Sequence, residues 1–166
     1  MWLTRLEGAE ALRVVEEIER SLRLGKRVIL RTQATSSPAL EVLHHPIATG
    51  VHGTVFAEFI DPPPRVLIIG AGHVGRALAR QMTQLGFVAS VQDDRRELLT
   101  PGYFDDGDGL EPDLAACAQK LRAWEGPRYA ALVTRGFRQD VDALIRLADQ
   151  SSLNWLDYLG VMGSKR

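Results

Sequence analysis

Cysteine is almost missing from these 166 residues: Cys117 stands alone. That excludes an internal disulfide and a multi-thiolate metal site within one chain. No apolar run approaches the roughly 18 residues of a membrane-spanning helix. The opening stretch, MWLTRLEGAEALRVVEEIER, has no apolar segment behind a basic start and so does not read as a secretory leader. Neither sign of charge dominates. With 20 basic and 21 acidic residues the net charge is −1, so no global field recruits nucleic acid. Internal repeats and low-complexity tracts are absent as well. The expectation is a cytoplasmic protein with neither nucleic acid nor membrane as partner.

What remains is an ordinary globular composition, 45% hydrophobic and 25% charged, enough for one domain with a short appendage. Charge is uneven in one place. Between Gln92 and Asp113 lie Asp93, Asp94, Glu97, Asp105, Asp106, Asp108, Glu111 and Asp113, against Arg95 and Arg96. The clearest boundary is Asp61-Pro62-Pro63-Pro64. Three prolines hold the backbone extended and remove three donors, so neither a helix nor a central strand runs through them. Residues 1–61 are therefore expected to form a small α+β appendage and residues 62–166 the main domain.

In the appendage, Leu12, Val15, Ile18 and Leu22 recur at helical spacing within 9–24, ahead of Gly25. Strands are expected at 27–32 and 53–60, with loops at 35–38 and around His44-His45-Pro46. In the main domain the periods alternate. Buried strands are expected at 66–69, 87–91, 129–134 and 158–162, and helices at 73–85, 111–124 and 141–148. Alternation of this kind builds a parallel sheet covered by helices on both faces, an α/β, Rossmann-like fold.

Gly70-Ala71-Gly72-His73-Val74-Gly75 is a G-x-G-x-x-G that directly follows the first strand and opens the first helix. In that context Gly70 permits the tight turn, Gly72 lets the backbone approach a pyrophosphate and Gly75 lets helix and strand pack closely. The helix start offers N–H groups to phosphate, with His73 at that end. Eighteen residues past Gly75 comes Asp93, followed by Asp94, where an acid suits the hydroxyls of an adenosine ribose. Asp93 favours NAD because it repels a 2′-phosphate, while Arg95 and Arg96 argue for NADP.

From Pro62-Pro63-Pro64-Arg65 through VLIIGAGHVGRALARQMTQLGF and Gln92-Asp93-Asp94-Arg95, the chain resembles the C-terminal Rossmann domain of the XdhC/CoxI family, the xanthine dehydrogenase accessory factors. Tyr158-Leu159-Gly160-Val161-Met162-Gly163-Ser164-Lys165-Arg166 is similar to the family's Y-I-G-M-I-G-S-R-R ending, and Thr134 with Asp140 to the outer residues of its T-H-G-H-x-x-D motif. Both motif histidines are replaced, by Arg135 and Phe137. The N-terminal part is abbreviated. The resemblance implies binding of a molybdenum cofactor (molybdopterin) or its nucleotide form. It also implies delivery to a molybdoenzyme of the xanthine or carbon monoxide dehydrogenase type. Gly70 to Gly75, Asp93, Asp94, Arg95, Thr134, Gly160, Gly163 and Ser164 are the expected binding residues.

Two other functions stay open: an NAD(P)-dependent oxidoreductase, and a nucleotide-sensing dimeric module. Homodimerisation suits the accessory and the sensing readings, since the appendage has more apolar face than it can bury. Other candidates carry less. Residues 160–166 offer a glycine loop with Ser164, Lys165 and Arg166, either a second anion site or a frayed end. His44, His45 and His52 read as exposed loop histidines and not as metal ligands. Cys117, among alanines on a helix, reads as a buried, inert thiol. Ser36 and Ser37 lack triad partners, and Asp105 to Asp108 reads as an acidic turn.

Overall fold

The structure is a computed structural model and describes residues 8–33, 39–45, 47–100, 102–104, 109–148 and 152–163. The chain divides into two compact units, Met1–Pro62 and Pro63–Arg166. Among the described residues no helix is long and apolar enough to cross a membrane.

Among its described residues the first unit holds one helix, α1 (Gly8–Arg23), and four antiparallel strands, β1 (Val28–Gln33), β2 (Ala39–Leu43), β3 (Gly50–His52) and β4 (Val55–Ile60), in the order β2-β1-β4-β3. The two longest strands pair along their whole length, Val28 with Ile60 through Gln33 with Val55. Val28, Ile29 and Ala57 are buried and form the small centre. Arg31 and Glu41 face each other across β1 and β2 and form an ion pair at 2.8 Å. Strands β2 and β3 were not expected, and His52 belongs to β3 instead of a loop. Gly53 at φ +65° with Thr54 makes the two-residue turn into β4, the connection that glycine at a hairpin tip favours. The amphipathic stripe of α1 is not fully covered, since Leu12 is 59% and Val15 39% exposed.

The second unit is a five-stranded, all-parallel sheet: β5 (Arg65–Ile69), β6 (Val88–Gln92), β7 (Gly109–Glu111), β8 (Arg128–Leu132) and β9 (Tyr158–Val161), in the order β7-β6-β5-β8-β9. Helices α2 (His73–Gln84), α3 (Leu114–Arg122) and α4 (Phe137–Ala148) connect them. Period-two alternation sends the two faces of β5 to different cores. Val66 and Ile68 pack with Ala79 of α2, Val91 and Phe104. Leu67 and Ile69 pack with Leu114 and Leu121 of α3 and Ala143 and Leu147 of α4. Burial on both sides makes β5 a near-continuous apolar run, and each fully buried Leu or Ile contributes roughly 1.5–3 kcal/mol.

Helix α3 starts three residues later than the expected 111–124. Pro112 keeps residue 111 out of the helical region, so Glu111 ends β7, and Asp113 caps the helix by accepting from Ala115 N at 2.9 Å. Trp124, past the helix end, donates its indole N–H to the Pro63 carbonyl at 2.9 Å. Strand β7 escaped the sequence reading because three residues leave no periodicity. Helix α4 begins at Phe137, four residues ahead of the expected Val141. The acidic turn expected at Asp105 to Asp108, and Ser36 and Ser37, lie outside the described residues.

Candidate functional site

The chain leaves β5 for α2 and β6 on one side, while β8 and β9 lie on the other. The C-terminal end of β5 is thus the point where strand order reverses, the usual crevice for ligands in open parallel sheets. Gly70 to Gly75 occupy that point, and the three glycines differ in what the fold asks of them. Gly70 sits at φ +117°, and a Cβ there would lie 2.5 Å from the Val133 carbonyl oxygen. A Cβ on Gly75 would fall within the Gly70 carbonyl oxygen. Both must be glycine for β5, β8 and α2 to close together. Gly72 is different: its φ of −68° is open to any residue, and a Cβ would meet nothing within 4 Å. It forms the N-cap of α2, which has no side-chain cap, so the first-turn N–H groups face open space. His73 is the first residue of α2 and, with Gly72, Arg76, Arg80 and Tyr103, lines a cavity of about 640 Å³. The Arg76 guanidinium lies 5.0 Å over the Tyr103 ring. Arg76, Arg80 and Tyr103 had no signal in the sequence beyond their type. Ala71 is buried, and Val74 follows His73 in the first turn of α2.

Asp93 is not left to a ribose. It is 4% exposed. Its Oδ2 accepts from Ala71 N at 2.8 Å and Arg95 Nη2 at 2.8 Å, and its Oδ1 from Arg95 N and Nε at 2.9 Å each. Four donors fill the roughly four lone-pair sites of a carboxylate. Burial by itself raises its pKa, but the Arg95 guanidinium and the Ala71 and Arg95 N–H groups outweigh burial and hold the carboxyl well below the usual range. Arg95 is spent on the same contact. Asp94 is the acid that faces outward, and Arg135 grips it through Nη1–Oδ1 at 2.9 Å and Nη2–Oδ2 at 2.8 Å. This pair raises the Arg135 pKa.

Beside Gly70 is a cavity of about 190 Å³, lined among others by Asp93, Asp94, Arg95, Thr134, Arg135 and Arg146. Thr134 donates its hydroxyl to Asp140 at 2.6 Å and accepts from Gly136 N at 3.3 Å, which shapes the turn from β8 into α4. A third cavity carries Thr134, Arg138 and Gly163. The candidate second anion loop lies partly outside the described residues. Gly160 is a residue of β9, where a Cβ would press on the Tyr158 ring at 3.1 Å, and Ser164 lies outside the described residues.

Cys117 is buried on α3. Burial, with Glu111 nearby, pushes its thiol up to about 11. His44 pairs with Glu17 at 2.9 Å. Among the described residues no three His, Cys, Asp or Glu side chains come together as metal ligands.

Residues 66–166 match the family model described as the XdhC Rossmann domain. The chain belongs to this family. Within the curated proteins, the uncharacterized protein YqeB of Escherichia coli (strain K12) is 32% identical over 114 residues, which is 68% of this chain and 20% of YqeB. A solved structure described as a xanthine dehydrogenase from Bacillus halodurans aligns over 95% of this chain and 54% of its own, with a TM-score of 0.68 and 22% identity. That likeness shows the shared fold. The chain spans about a fifth of YqeB and about half of the Bacillus protein.

Proposed function

We propose that this XdhC domain binds a phosphate-bearing cofactor, a nucleotide or a molybdopterin-type group, and assists maturation of a molybdenum hydroxylase of the xanthine or carbon monoxide dehydrogenase type. Gly72 carries the reading. Packing explains the glycines at 70 and 75, whereas among the described residues no atom lies within 4 Å of where a Cβ on Gly72 would stand. Close approach of a phosphate to the backbone is the requirement that accounts for it. The uncapped start of α2 supplies N–H donors and the positive end of the helix dipole. Gly70, Ala71, His73, Val74 and Gly75 complete the cradle, Asp93 and Arg95 hold its shape, and Asp94 takes the place at the ribose. Thr134 and Gly163 share a neighbouring cavity with Arg138.

When bound, such a cofactor presents its phosphate as the handle and keeps its metal chemistry for the client enzyme. The protein's part is to hold, orient and release. Every Asp and Arg lining the crevice cavity sits in an Asp–Arg pair, which favours a binding role over proton transfer to NAD or NADP. A homodimer in the cytoplasm belongs to the same proposal, with exposed Leu12 and Val15 of α1 as the contact.

The test is a thermal-shift panel of NAD, NADH, NADP, NADPH, AMP, CMP, GMP and molybdopterin extracts on wild type and Gly72→Asp. A ligand at 100 times its Kd adds about 2.7 kcal/mol, an upshift of about 5–11 °C at this chain length. A pterin or nucleotide shift that disappears in Gly72→Asp is expected. A shift with NAD(H) alone moves the reading to redox sensing or oxidoreduction. No shift with any ligand sinks the phosphate site. Co-purification with a molybdoenzyme separates maturation from nucleotide sensing, and light scattering after size exclusion checks the dimer.

A further inference from the structure

The three arginines lining the cavity beside Gly70 are each matched by an aspartate that lines it too: Arg95 by Asp93, Arg135 by Asp94 and Arg146 by Asp142. Two of these pairs are local. Arg95 and Asp93 are two residues apart, and Arg146 and Asp142 share one turn of α4. The Arg135–Asp94 pair alone joins different strand ends. Asp94 follows β6 and Arg135 follows β8, with β5 and Gly70 between them in the sheet, so the bond crosses the crevice. Its side chains are 42% and 67% exposed, which puts the bond on the solvent side of the cavity. With the bond made, the cavity holds about 190 Å³, less than the roughly 300–1,000 Å³ of small-molecule pockets. A ligand whose phosphate lies over Gly70 meets the Arg135–Asp94 bond in the same cavity.

The chemistry of the pair says what opens it. An exposed arginine–carboxylate bond is weakly held, and the planar fork that grips a carboxylate accepts a phosphate in the same bidentate geometry. A phosphate monoester also brings up to two charges where Asp94 has one. We propose that Arg135–Asp94 is an exchangeable strap: the phosphate of a bound ligand takes Arg135 from Asp94, and the crevice opens as it does so. Arg135 is then a ligand-binding residue, and Asp94 its competitor when no ligand is present. This rests on the reading of the crevice as a phosphate-ligand site.

Two substitutions cut the bond from opposite ends. Asp94→Asn leaves Arg135 for the ligand, and Arg135→Gln removes the phosphate partner. Both positions are exposed, so both variants are expected to keep the wild-type melting midpoint within about 2 °C. Calorimetric titration of the whole chain with AMP, CMP and GMP, and with their nucleosides, at one fixed salt concentration reads the exchange. Asp94→Asn is expected to tighten the mononucleotide about 2–5-fold, and Arg135→Gln to weaken it about 10–100-fold. Arg135→Lys, which keeps the charge and loses the fork, falls between wild type and Gln. The nucleosides lack the phosphate, so Arg135→Gln is not expected to weaken them. If both cuts move mononucleotide affinity in the same direction, the pair is a structural tie and the strap is overturned while the phosphate site stands. If no mononucleotide binds to wild type or to Asp94→Asn, the site reading falls and the strap with it.

Discussion

The Asp93 carboxylate meets the Ala71 amide at 2.8 Å, which ties the end of β6 to the glycine loop that follows β5. The same carboxylate holds Arg95 through its guanidinium and its backbone N–H. An acid in the position usually given to ribose recognition here shapes the glycine loop. The carboxylate reachable from solvent is that of its neighbour, Asp94.

Removing that tie has a pH signature. Asp93→Asn is expected to lower stability at pH 7 by about 2–3 kcal/mol, the scale of charge-assisted hydrogen bonds lost from a buried acid. The folded state holds this carboxyl below its ordinary value, so its contribution is complete above about pH 4, the unfolded carboxyl range, and is lost as pH falls through the folded value. Urea denaturation of wild type and variant at pH 7 and pH 3 reads it. A gap that stays constant between the two pH values contradicts the assignment.

The three loop glycines are expected to separate cleanly when each is replaced by alanine. In an open helix Gly→Ala gains about 1 kcal/mol. At Gly75 the added methyl runs into the Gly70 carbonyl, so the net result is a loss of about 1–3 kcal/mol. Gly70→Ala loses as much or more, since it combines a positive φ with a close carbonyl. Gly72→Ala stays within about 1 kcal/mol of wild type, and what it loses is ligand affinity. Melting midpoints of the three variants decide it, and equal losses at 72 and 75 refute the division of roles.

Cys117 is expected to be silent toward thiol reagents in the folded protein. Its thiol, pushed up to about 11 by burial, is about 0.1% ionised at pH 8, and the thiolate is the reactive form. Reaction with a chromogenic disulfide is expected to be negligible in buffer and stoichiometric in denaturant. Rapid reaction of the native protein contradicts the burial that holds this thiol protonated.

Residues 62–166 announced their architecture because its signals are local. Val66 to Ile69 is apolar on both faces, Gly86 stops α2, and the glycine spacing sits where strand becomes helix, so neighbours along the chain determine β5, α2 and the glycine loop. The short strands β2, β3 and β7 had no such signal. Three or five residues carry too little periodicity, and they are strands because β1, β4 and β6 present unpaired N–H and C=O groups to them. The same limit applied to the site. Which of two adjacent acids turns inward was decided by the Ala71 amide 22 residues away, and the partner of Asp94 lies 41 residues on, at the end of β8. By itself the sequence determined where the glycine loop stands, because strand, turn and helix start are written in neighbouring residues. Tertiary structure decided which side chains meet across that loop, because sheet order brings together strand ends that the chain keeps apart.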